Sequence, residues 1–302
     1  MSAIGAGSGQ GAGVSPTRTG RGGGMSSLGA GRDGGAQPAV TGGVEPADTA
    51  ARPPSGRAAA ATLRLVRAEL RLVLREPLVL TFVFAFPVVT MLVIAGSFGA
   101  EDADGFGGLD PAQWYVSSYL AFVLAAVGLV MVPVHVAAYR ERGVLRRFAA
   151  AGFPRWSFAV ASGAVGVLLA LAGCAVLLAA AAPAYGLPPI HHPLWTVAGL
   201  LAGAVTMTGI GLLIGCLVPT ARAAQAVGLL AFFPSFLLGG GGPPPAVLGA
   251  GMRTVADLLP LTHVTASIRD PWLGTGTGAA DLAVVLVFLV ASALGWARAV
   301  RL

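Results

Sequence analysis

Lysine is absent from the 302-residue sequence, so its 19 basic side chains are all arginine. A phosphate-binding loop ending in G-K-[ST] cannot be built without that lysine, and the chain by itself is therefore no P-loop ATPase. Charge of either sign is scarce. Only 11% of residues are charged, against roughly a quarter in soluble domains, while 55% are hydrophobic and the mean hydropathy is +0.78. A chain of this composition is a membrane protein, long enough for several crossings of about 20 residues each. The two cysteines, Cys174 and Cys216, each sit inside an apolar run and form neither a C-x-x-C pair nor a metal-ligand spacing. They read as small buried hydrophobes.

Residues 1–56 hold 16 glycines and no aromatic side chain. Such a segment buries too little apolar surface to offset the entropy of ordering, which predicts a disordered tail. It has no hydrophobic core segment of the kind a signal peptide needs. Gly29, Gly31 and Gly34 satisfy G-x-G-x-x-G, but without a strand before and a helix after them chance is the better account.

From residue 57 the pattern changes to long uncharged runs: 24 residues between Glu76 and Glu101, 29 between Asp110 and Arg140, and 66 between Arg155 and Arg222. The last is too long for one crossing and is broken by the four prolines and one glycine of Pro183 to Pro193. The expected fold is all-α, a polytopic membrane domain over 57–302 with six transmembrane helices at about 78–97, 116–138, 158–182, 194–218, 220–238 and 279–297. The fifth run is short and ends in GGGGPPP, so it starts near Thr220 or is followed by a re-entrant segment. Over 57–76, Arg57, Arg64, Arg67, Arg71 and Arg75 fall within about 80° at 100° per residue. Leu63, Val66, Leu70, Val73 and Leu74 take the other side, which predicts an amphipathic elbow helix with arginines toward lipid phosphates and leucines in the acyl boundary.

The stretch YRERGVLRRFAAAGFPRWSF, Tyr139 to Phe158, carries five arginines between two apolar runs. At the bilayer centre each would cost about 2.5 to 3.5 kcal/mol, so the segment lies outside the hydrocarbon. Placing both chain ends in the cytoplasm puts thirteen arginines on the inner side and two, Arg253 and Arg269, on the outer side, as the positive-inside rule requires. Residues 142–151 are good helix formers and are followed by Gly152 and Pro154, so a short basic helix is expected there, as an orientation determinant or as a docking surface for a cytoplasmic partner.

REPLVLTFVFAFP (Arg75 to Pro87), RERGVLRRFAAAGFPRWSF (Arg140 to Phe158), GLLIGCLVPTARAAQAVGLLAFFP (Gly211 to Pro234) and LLPLTH (Leu258 to His263) occur in that order. In this the chain resembles ABC type-2 exporter permeases, the membrane subunits of transporters such as the daunorubicin-resistance exporters. The resemblance runs from about Thr62 to the C-terminus. It implies a coupling helix between spans two and three that engages a separate ATP-binding subunit, a re-entrant outer segment between spans five and six, and a dimer of permeases, homo- or hetero-, on two ATPases. ATP and Mg would then sit on the partner, with no cofactor on this chain and no nucleic acid among its partners. The coupling residues it implies are Arg140, Glu141, Arg142, Gly143, Arg146 and Arg147. Members commonly carry a glutamate where this sequence has Arg146, which leaves Glu141 as the main acidic candidate.

Other candidates are read from position alone. Phe232, Phe233 and Phe236 share about 100° of span five, a wall for an apolar substrate or else packing and lipid contacts. Gly211 and Gly215 form G-x-x-x-G, with packing inside the chain favoured over a dimer contact. His135, near the inner end of span two, is a packed or interfacial histidine before it is a proton relay, and His191 and His192 lack further metal ligands. Asp257, Pro260 and His263 flank or lie in LLPLT, where they shape an exit gate or a hydrogen-bonded loop. A proton-coupled carrier would show carboxylates well inside its spans, and none is seen; a membrane anchor or assembly factor fits composition but not the order of the motifs. The function expected is ATP-driven export of a hydrophobic or amphipathic substrate, with the catalytic step on another chain.

Overall fold

The computed structural model of the protein describes residues 55–73, 75, 77, 81–98, 104–144, 147, 150, 155–244 and 247–299, and its regular elements are helices. The predicted tail, Arg146 and most of the predicted basic helix after Arg142 lie outside the described residues. The helices are α1 (Ser55–Val73), α2 (a π-helical turn Thr81–Ala85 running into Phe86–Ala95) and α3 (Pro111–Ala125, a π-helical turn Ala126–Met131, then Val132–Glu141). They continue with α4 (Arg155–Tyr185), α5 (Pro193–Leu217), α6 (Ala221–Leu238), α7 (Ala250–Asp257), α8 (Pro260–Leu273) and α9 (Ala279–Ala299).

Five of them, α3, α4, α5, α6 and α9, are long and apolar enough to cross a bilayer. They coincide with predicted spans two to six. Their limits are set by local chemistry: Asp110 caps α3 by accepting from the Ala112 N–H at 2.8 Å, and Thr220 caps α6 by accepting from the Ala223 N–H at 3.2 Å. Span one is described only as α2, a shorter apolar helix. At 1.5 Å per residue its described part reaches about 22 Å, less than the roughly 30 Å of hydrocarbon.

Both π-helical turns precede a proline at the second position of the segment that follows, Pro87 in α2 and Pro133 in α3. A proline gives no N–H to the carbonyl four residues back, and its ring crowds that carbonyl, here Val83 or Leu129. Widening the turn relieves the crowding and leaves carbonyls open to a neighbour. Glycines then dock on them. A Cβ on Gly211 of α5 would overlap Gly128 O, and one on Gly228 of α6 would overlap Leu129 O. Gly215 of the same G-x-x-x-G faces Pro133 O and Val136, so the motif serves packing inside the chain, as expected from the sequence.

α3 is the hub. Its residues from Trp114 to Val130 are buried, and α2, α4, α5, α6 and α8 pack around it. α8 lies against α3 and α5 and buries Leu261, Val264 and Ile268 there, so the stretch between spans five and six is a packed helical pair, α7 and α8. α1 departs from the expectation in one respect. Its Val66, Leu70 and Val73 pack on Val165 and Leu169 of α4 instead of entering an acyl boundary, while Leu63 stays exposed. Arg64, Arg67, Arg71 and Arg75 are exposed, as the arginine arc predicts.

Candidate functional site

The segment expected to carry coupling begins where α3 ends. The Arg142 N–H donates to Ala138 O at 3.1 Å and the Gly143 N–H to Arg140 O at 3.0 Å, and Gly143 turns the chain out with φ +67°. That left-handed conformation suits glycine. Arg142 and Arg147 point outward and are exposed.

Arg140 and Glu141 are exposed too, but their side chains bond within the chain. Arg140 Nη1 donates to Gly215 O at 3.0 Å and to Val218 O at 3.1 Å, two carbonyls at the end of α5 that the helix itself leaves without partners. Glu141 Oε2 accepts from the N–H of Ala221, the first residue of α6, at 3.0 Å. A cation at a helix C-terminus and an anion at a helix N-terminus both complement the helix dipoles. Adjacent charges of opposite sign on α3 thus clamp both sides of the α5–α6 turn. Glu141, the acidic residue expected to meet a partner, is engaged within its own chain.

The phenylalanines expected to share a wall divide. Phe232 is fully buried and Phe236 partly so, with centroids 5.3 Å and 4.5 Å from Phe122 of α3, whereas Phe233 is 46% exposed on the other side. Two of the three are internal packing. The cavity at the Trp114 end of the bundle, about 400 Å³, is lined by other residues, Phe98, Asp104, Gly105, Phe106, Pro243, Pro244 and Val247. The Gly-rich turn beside it is held by α3, whose Tyr115 and Tyr119 hydroxyls donate to Gly242 O and Gly241 O at 3.1 Å and 3.3 Å.

Asp257, Pro260 and His263 do come together, with a fourth residue from α9. His263 Nδ1 lies 2.7 Å from Asp281 Oδ1, and its Nε2 lies 2.9 Å from the backbone oxygen of Asp257. Pro260 starts α8. One imidazole therefore ties the end of α7 and the start of α8 to α9. We expect His263→Ala to lower unfolding stability by about 1 to 3 kcal/mol, from a hydrogen bond to a charged group, read as the thermal midpoint in detergent; an unchanged midpoint removes the tie. His191, set aside as a metal ligand, bonds through its N–H to Trp272 O at 3.1 Å and joins the α4–α5 loop to α8.

Glu69 escaped the sequence reading. It is 1% exposed in the middle of the α1 stripe, accepts from the Ser162 hydroxyl at 3.2 Å and lies 3.8 Å from His135 Nε2. The signal was present: residue 69 follows Val66 by three and precedes Val73 by four, about 160° from the middle of the arginine arc.

No curated protein matches the chain. The family description "ABC-2 type transporter" matches residues 60–272, which covers α2 to α8 and most of α1. Multi-pass helices, a proline-widened central span and a charged clamp at one end of it therefore belong to a chain of the ABC-2 type transporter family, as its membrane-spanning subunit.

Proposed function

We propose that this subunit exports a hydrophobic or amphipathic substrate, a drug, antibiotic or lipid-like molecule, using ATP hydrolysed on a separate ATP-binding chain. ATP and Mg are bound there, and two permease copies, or this chain and a similar permease, sit over two ATPases in the cell membrane. Both chain ends face the cytoplasm, which the thirteen-to-two distribution of arginines supports. The exposed arginines of α1, Arg64, Arg67, Arg71 and Arg75, face lipid phosphates.

The observation that carries the reading is the clamp. A motor outside the membrane can act on the spans only through an element that touches both. The segment from Arg142 onward leaves α3 beside Arg140 and Glu141, which hold the α5–α6 turn through 3.0 to 3.1 Å bonds. A push on that segment reaches three spans at once. The exposed Arg142 and Arg147 offer charge-assisted contacts to an acidic partner surface.

The test is to look for an adjacent reading frame with G-x-x-x-x-G-K-[ST] and to co-purify its product with this chain. Arg142→Glu with Arg147→Glu is expected to weaken the complex more than about tenfold, because charge-assisted bonds contribute about 1.5 to 3 kcal/mol each, while insertion in the membrane stays normal. A complex of unaltered strength would remove these arginines from the docking surface. ATP-dependent uptake of a compound panel into inverted vesicles, whose cytoplasmic face is outermost, identifies the cargo.

A further inference from the structure

The polar cluster under α1 is not needed by the clamp, and it is incomplete. Glu69 Oε1 is buried without a hydrogen-bond partner, and so is His135 Nε2. Glu69 Oε2 has one hydrogen bond, from Ser162 of α4. The carboxylate thus sits among Val66, Leu70 and Val73 of its own helix and Val165 and Leu169 of α4, with His135 as its ion-pair partner among the described residues. The titratable groups around the pair are few. The Tyr139 ring of α3 lies tilted against His135 with centroids 4.6 Å apart, α4 contributes Ser162, and the arginines of α1, Arg64, Arg67 and Arg71, are exposed on its other side.

A buried carboxylate with one hydrogen bond is costly as an anion, and its neighbour across 3.8 Å is a base. One proton resolves both problems. On His135 it makes an imidazolium–carboxylate pair, and on Glu69 it makes a neutral acid that donates to His135 Nε2; in either form the cluster has no net charge. Closing the gap to a hydrogen bond needs a side-chain adjustment of about 1 Å.

We propose that His135 neutralises Glu69, and that this pairing latches α1 onto the α3–α4 face. Without His135 an unpaired anion is left in the stripe that docks α1, and α1 separates. His135 stands five residues before Arg140 on the same helix, so the latch joins α1 to the segment that ends in the clamp. The site needs neither a particular substrate nor the ATP-binding partner, and its test is independent of both.

The test uses the full chain in membrane vesicles, with Cys174→Ala and Cys216→Ala as background and one reporter cysteine per protein. Val73→Cys reports the docked face and Leu63→Cys the exposed one, and the ratio of their maleimide labelling rates at one pH reads how far α1 has opened. The ratio is expected to rise by at least about tenfold from the parent chain to His135→Ala. In Glu69→Gln it stays low, because the amide keeps the shape and removes the charge. Adding Glu69→Gln to His135→Ala lowers the ratio again. A His135→Ala ratio equal to the parent's overturns the proposal. So does a Glu69→Gln variant that labels as fast as His135→Ala, since the carboxylate would then act by its shape alone.

Discussion

Gly211→Leu is expected to abolish recovery of monodisperse protein after detergent extraction. Even the first added atom, a Cβ, would overlap Gly128 O, a backbone atom of the α3 π-helical turn, and would lie 3.2 Å from Pro133 Cδ. The clash cannot be relieved by turning a side chain. α3 is held by α2, α4, α5, α6 and α8 at once, so yielding at Gly128 means repacking the hub. Overpacking a dense core costs about 1 to 3 kcal/mol, and more where the backbone must move. Much of a marginal stability of about 5 to 15 kcal/mol is then at risk. Gly251→Ala is the matched control: it lies in helix α7, a Cβ there meets nothing within 4 Å, and removing a helical glycine should gain up to about 1 kcal/mol. A Gly211→Leu protein that elutes and melts like the parent would refute the docking of α5 on the widened turn.

How far the sequence reveals this fold depends on whether the relevant contact is local. Apolar runs bounded by arginine or aspartate, the longest divided by the prolines of Pro183 to Pro193, place α3, α4, α5, α6 and α9 within a few residues, because the cost of burying charge acts on each run by itself. The π-helical turns are only half legible. Pro87 and Pro133 mark a disturbance, but whether a proline kinks a helix or widens it depends on the neighbour that meets the freed carbonyl, here α4 at Gly173 for the first turn, and α5 at Gly211 with α6 at Gly228 for the second. A sector of about 100° did not separate Phe232 from Phe233, since a buried and an exposed residue can share it. Glu69 was legible from its place in the α1 stripe. The bonds of Arg140 and Glu141 were not, because their partners Gly215, Val218 and Ala221 lie 75 to 80 residues away and are set by tertiary register.

Those bonds carry the second large effect. Arg140→Ala, with Glu141→Ala as its companion, should each reduce ATP-dependent transport about tenfold while the ATP-binding chain still co-purifies and keeps its basal hydrolysis. Arg140 is exposed, so its paired bonds are taken at the low end for charged groups, about 1.5 kcal/mol. Converted at 1.36 kcal/mol per decade, that is slightly over tenfold. The two residues grip opposite sides of one turn, so the double variant should lose little more than either single one. Purely local damage predicts something else: independent losses that multiply, and a lowered unfolding midpoint in step with transport. Direct docking of Glu141 on the partner is separated by the pull-down, because the complex itself would then weaken. Should both single variants transport at the parent rate, the clamp is a static brace, and force must reach the α5–α6 turn by a route that avoids the end of α3.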